Sequence, residues 1–165
     1  MLSPKGNVVK VSIYADDVDL EDNFRVATMA TDQLNHTLKI APDIRIAGHK
    51  NPELLDSKGI RGDRVSPKWN NIKTATDNAF KSKLSVKKKG QLAKEDNAFL
   101  IIEVNFKPTN ANIATFTKQS WSKFKHYKTI DYIIIYNDDK IIKIKREVIE
   151  LGYDTYLSMI SKVLK

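Results

Sequence analysis

Apolar residues along this chain switch between two spacings, and the switches mark out its elements. Val8–Tyr14 (VVKVSIY) alternates with period two and predicts a strand. From Leu20 the spacing lengthens: Leu20, Phe24, Ala27, Thr31 and Leu34 recur at three and four, predicting a first helix. The acidic run Asp16 to Asp22 stands at the positive end of its dipole as capping residues. LKIAPDIRIAG supplies a short strand at Asp43–Ile46, His49–Asp63 reads as loop, and strand character returns around Ile60–Val65. Pro67 and Asn70 prepare a second helix with the face Ile72, Ala75, Thr76, Ala79, Phe80 and Leu84, ended by KKKG at Lys87–Gly90. Ala98–Phe106 is nearly continuous in apolar residues, as in a strand covered on both faces. After the polar KPTNANIATFT comes a short helix around Lys118–His126, then a hairpin of IDYIIIY and KIIKIK turned at Asn137-Asp138-Asp139. Tyr153, Tyr156, Leu157, Ile160 and Leu164 close the chain as a helix. This order predicts an α+β fold: a mainly antiparallel central sheet, N-terminal helices packed on it, and a C-terminal helix. With 165 residues and no linker, residues 1–165 read as a single domain.

Composition narrows the chemistry. No apolar run approaches the roughly 20 residues that span a bilayer, and MLSPKGNVVKV lacks a secretory apolar core, so no membrane anchoring is expected. Cysteine is absent, which excludes disulfides, thiolate nucleophiles and cysteine-bound zinc. With only His36, His49 and His126, a histidine-rich metal site is not expected, nor is any cofactor. The net charge of +8 is concentrated: Lys81 to Ile130 holds eleven lysines against Glu95, Asp96 and Glu103, an excess equal to that of the whole chain. A basic block confined to one stretch of a folded domain reads as a footprint for a polyanion, or as a solvated lysine face.

Two nuclease chemistries compete for these residues. Metal-independent RNA cleavage by the ribose 2′-OH needs a base, an acid and a cation for the charge building on the phosphoryl oxygens. His49 or Lys50 would move the proton, Asp63 would orient it, and Arg64, Lys68 and Lys107 would steady the phosphate. Lys87, Lys88, Lys89, Thr109, Lys118 and Ser120 would join Lys107 in binding RNA. A magnesium-dependent DNA endonuclease of the PD-(D/E)xK kind would instead use an acid on one strand and D/E-x-K on the next. Glu103-Val-Asn105 is the nearest match, with Asn105 in the lysine position. A non-enzymatic nucleic-acid-binding module is the third reading.

The succession KNPELLDSKGIRGDRVSP, NNIKTATDNAFKSK, AFLIIEVNF, TKQSWSKFKHY and IDYIIIYNDDKIIKI resembles the C-terminal toxin domain of contact-dependent growth inhibition proteins, with the barnase/EndoU/colicin D/RelE-like ribonuclease fold. The matching positions are Lys50, Asn51, Pro52 and Glu53, then Gly62 and Asp63, then Asn71 and Ile72. Glu53 stands where aspartate is commoner, and the basic stretch between helix and strand is unusually long. The resemblance implies a ribonuclease toxin acting on transfer RNA in the cytoplasm of a target cell. It also implies delivery within a larger secreted or surface protein, or a cytoplasmic location if the chain is free-standing, and neutralisation by an acidic cognate immunity protein.

Overall fold

Two connections in this chain are long enough to cross the face of a sheet, and they decide its topology. A computed structural model describes residues 1–46 and 50–165. Its elements, in order, are α1 (Leu20–Leu34), β1 (Leu38–Ile40), β2 (Leu54–Asp56), β3 (Arg61–Val65), α2 (Ile72–Leu84), β4 (Ala98–Glu103), α3 (Asn110–His126), β5 (Ile130–Tyr136), β6 (Ile141–Lys145), α4 (Val148–Leu151) and α5 (Tyr153–Leu164). The strands form one sheet in the order β1-β2-β3-β4-β5-β6. Tight turns make β2–β3 and β5–β6 antiparallel, and β1–β2 is antiparallel too. α2 and α3 carry the chain back across the sheet, so β3–β4 and β4–β5 are parallel. The sheet is therefore mixed, which corrects the expectation of a mainly antiparallel one. Apolar strands carry no mark of direction; the intervening helices set it.

Side chains alternate across the sheet and build a core on each face. Leu100 and Ile102 of β4 pack with Ile133, Ile135 and Ile144 beneath Phe80 of α2, Phe116 and Phe124 of α3, and Tyr156 and Ile160 of α5. Phe99, Ile101, Tyr132, Ile134 and Tyr136 point the other way, beneath Val26, Ala27 and Ala30 of α1. β4 is thus covered on both faces, as its sequence indicated. Gly62 is required by this packing: a Cβ there would lie 2.0 Å from the Phe99 ring.

Several boundaries move. The alternating Val8–Tyr14 is not a strand; it makes isolated bridges, Leu2 with Val8 and Val11 with Ile40. This arm is fastened to α1 through Asp32, which accepts from Ser3 Oγ at 2.5 Å and Asn7 Nδ2 at 2.7 Å. The first edge strand is Leu38–Ile40 rather than Asp43–Ile46, and Leu54–Asp56, read as loop, is a strand. α3 starts at Asn110, capped by Thr109 Oγ1 accepting from Asn112 N, so it is two turns longer than the apolar spacing showed. α2 ends at Leu84, before the lysine run. Among the described residues no helix is long and apolar enough to cross a membrane.

Candidate active site

The hairpin between β2 and β3 creates the site. Asp56 Oδ1 accepts from Lys58 N and Ile60 N, both at 2.9 Å, closing a turn through Gly59 at φ 78°. The turn fixes Leu54 opposite Gly62, and one step further the same register sets Glu53 against Asp63. The two are interlocked through the backbone: Asp63 Oδ1 accepts from Glu53 N at 3.3 Å, and Glu53 Oε2 accepts from Arg64 N at 3.2 Å.

Lys83, in the last turn of α2, completes the cluster. Its Nζ lies 2.8 Å from Asp63 Oδ2, with the aspartate side chain 1% exposed and the lysine 20%. This ion pair is the one polar contact of Asp63 Oδ2 among the described residues. Leu92 N donates to the Lys83 carbonyl at 2.8 Å, Asn51 N to Gln91 Oε1 at 3.0 Å, and Lys50 Nζ to Lys89 O at 2.7 Å. The approach to β2 is thereby tied to the loop that follows α2. Glu53 opens onto a cleft of about 170 Å³ shared with Asp19, Asn23, Asn51 and Gln91.

Burial makes both carboxyls reluctant to ionise, and the charge of Asp63 adds to it at Glu53. Desolvation, followed by the charge of Asp63, pushes Glu53 up to about 7, against the opposing pull of Lys83 and Arg64. Asp63 is also raised, because desolvation outweighs Lys83 beside it. Two crowded carboxyls with raised proton affinity, even with Lys83 and Arg64 near them, suit a further positive charge.

Arg64 leaves β3 on the opposite face from Asp63, and its side chain serves a different purpose. Nε donates to Asn23 Oδ1 at 3.1 Å, Nη1 to Ser66 Oγ at 2.5 Å, and Nη2 to Asp22 Oδ2 at 3.2 Å, with Asp19 3.6 Å away. The acids before and within the first turn of α1 thus hold Arg64, and Asp19 makes no side-chain cap hydrogen bond. Glu103 joins the same network. It accepts from Ser66 Oγ at 2.6 Å and Tyr136 OH at 3.2 Å and lies 3.6 Å from both Arg64 and Arg25.

The other residues singled out from sequence are dispersed. His49 lies outside the described residues. Lys68 is exposed in the β3–α2 connection, and Lys87, Lys88 and Lys89 are exposed in the turn after α2. Lys107 and Thr109 precede α3, with Thr109 serving as its cap, and Lys118 is exposed on that helix. Ser120 is fully buried, donating to Thr117 O and accepting from Tyr156 OH at 2.8 Å. Lys83 was not singled out from sequence beyond its place in the basic block. The turn would have revealed Glu53: once Ser57–Ile60 is recognised as a hairpin turn, counting outward sets Glu53 against Asp63.

Among the described residues no cluster of three or more acids or histidines is placed to hold a metal ion. Two carboxylates still suit Mg²⁺, which binds through one or two of them and takes its remaining ligands from water and phosphate. Asp63 Oδ2 is buried and faces the Lys83 ammonium at 2.8 Å, so an ion held there would take the place of that cation. No protein family model matches the chain, and no curated protein or solved structure matches it.

Proposed function

We propose that the chain is a metal-dependent nuclease whose centre is Glu53, Asp63 and Lys83. The single observation that carries this reading is the pairing of half-buried Glu53 with buried Asp63, cross-strand neighbours with raised proton affinity and the Lys83 ammonium beside Asp63. Glu53 and Asp63 would hold a divalent ion, which supplies Lewis-acid polarisation of a phosphoryl oxygen and an acidified water. Asp63 is fixed by its strand and by Glu53 N, so it needs little reorganisation to bind. Lys83 stands 2.8 Å away as a fixed cation suited to the charge that grows on phosphoryl oxygens in the transition state. The exposed Lys87–Lys89 turn that follows α2 would carry the phosphate backbone without reading bases.

This reading keeps a nucleic acid as substrate but moves the acidic pair from the Glu103 expected for a PD-(D/E)xK arrangement to Glu53 and Asp63. Glu103 is engaged with two arginines, a serine and a tyrosine. The metal-independent reading assigned Arg64 and Asp63 to one reaction centre, and their side chains leave β3 on opposite faces. A toxin role, with an acidic immunity protein as neutraliser, belongs to the same proposal and predicts arrested growth in cells producing the active chain.

The test is cleavage of DNA and RNA with Mg²⁺ and with EDTA, followed by analysis of the product ends. Activity that requires Mg²⁺, leaves 3′-hydroxyl ends and falls about 100-fold or more in Asp63→Asn is expected. RNA cleavage that persists in EDTA with 2′,3′-cyclic phosphate ends would overturn the proposal and restore the metal-independent one.

A further inference from the structure

At the other end of β2 from Glu53 lies a larger cavity of about 440 Å³ that the proposed nuclease centre does not use. We infer that it is an anion site in which Lys58, Lys143 and Lys145 hold a phosphate group above a floor of His36, Tyr132 and Asp56.

The floor is a chain of directed hydrogen bonds. Asp56 is an acceptor, so Tyr132 OH donates to its Oδ2 at 3.0 Å. The tyrosine oxygen is then free to accept from His36 Nε2, also 3.0 Å away. That proton placement leaves His36 Nδ1 as an acceptor, and Lys143 Nζ lies 3.3 Å from it. The same ammonium lies 4.1 Å from the centroid of the Tyr132 ring. Lys143 is thus held in place by an aromatic face and a neutral imidazole, neither of which neutralises its charge. Burial, with Lys143 second, keeps His36 neutral by lowering it to about 4.

The rim gathers like charges that close no ion pair, although Asp56, Asp131 and Glu147 line the same cavity. Among the described residues, Lys58, Lys143 and Lys145 make no ion pair with a carboxylate. Lys143 sits below the ordinary lysine range through burial and then repulsion from Lys145, with Lys58 adding to it and Asp56 opposing. Asp131 and Glu147 line the cavity without pairing to these lysines. Arg146 is occupied by backbone carbonyls, donating to Ile130 O, Phe124 O and Tyr127 O. Three ammonium groups gathered around a space of this size favour a multiply charged oxyanion over a single carboxylate, and lysine binds phosphate as a point charge. The phosphate could belong to a nucleic acid or to a free phosphorylated small molecule, since both present the same group.

Binding is measured in EDTA, which separates it from metal-dependent cleavage, by NMR of the His36 ring during titration with inorganic pyrophosphate. Saturable shifts at millimolar concentration are expected, with His36 protonating at higher pH once the anion offsets the lysines. Lys143→Met should weaken binding roughly tenfold or more, and Lys58→Ala, at an exposed position that leaves the floor intact, should weaken it less. A 5′-phosphorylated oligonucleotide that displaces pyrophosphate would identify nucleic acid as the source. Failure to displace it, with pyrophosphate still bound, would identify a free phosphorylated ligand. The inference is overturned if pyrophosphate causes no saturable change at His36, or if both variants bind it as the native chain does.

Discussion

Replacing Glu53 with glutamine should stabilise this protein at alkaline pH while abolishing its proposed activity. The side chain keeps its shape and can still accept from Arg64 N through its amide oxygen, so the backbone contact at 3.2 Å survives. What disappears is a carboxylate that burial and Asp63 hold at about 7 in place of its ordinary 4.5. Each pH unit of such a difference corresponds to about 1.4 kcal/mol, so the ionised form is disfavoured in the folded chain by about 3 kcal/mol. The folded chain holds this proton more tightly than the unfolded chain between pH 4.5 and 7. Stability therefore declines as pH rises through that interval, and the deficit is complete above 7. Because Lys83 loses part of its compensating role when Glu53 is neutral, a net gain of about 2 kcal/mol at pH 8 is expected, vanishing near pH 4. For a chain of this size that is about 4–8 °C in melting temperature. The assay is thermal unfolding by circular dichroism at pH 4, 6 and 8, with and without Mg²⁺. The ion should raise the native chain toward the variant at pH 8 and leave the variant unmoved, since only a species that binds the folded state stabilises it. Equal melting temperatures at pH 8, or a gap of the same size at pH 4, would refute the reasoning.

Other substitutions separate architecture from chemistry. Arg64→Ala should lower stability by about 3–5 kcal/mol in urea denaturation, because Asp22, Asn23 and Glu103 lose a buried partner; lost activity at an unchanged midpoint would reassign this guanidinium to substrate. Gly62→Ala should destabilise by about 1–3 kcal/mol or more by forcing Phe99 from its place against β3, and Phe99→Leu in the same chain should recover part of the loss; an unchanged unfolding midpoint in Gly62→Ala would contradict the close contact. Changing Lys87, Lys88 and Lys89 together to glutamate should weaken nucleic-acid binding for every sequence and flatten its dependence on salt by about 2–3 in log–log slope; an unaltered slope in a fluorescence anisotropy titration would show that the turn touches no phosphate.

The sequence by itself determined the elements whose apolar spacing is long and unbroken. α1, α2 and α5 were legible because each buries a periodic face, and β4 and the β5–β6 hairpin because their apolar runs are short and bounded by polar turns; both are properties of the local chain. It also displayed Asp63 and Glu53 as residues worth marking. Three-residue strands such as β1 and β2 were not legible, since so few side chains cannot establish a period and their stability comes from neighbours distant in sequence. The long reach of α3 toward its N-terminus was hidden by a polar first turn that only its Thr109 cap explains. Direction within the sheet and the arrival of Lys83 beside a carboxylate 20 residues earlier were decided by the tertiary structure alone. The α2 crossover returns the chain to lay β4 parallel to β3, and that one packing event brings a lysine from the end of the helix over the strand it left. Charge neutralisation in a buried site depends on distance through space, which residue spacing does not encode.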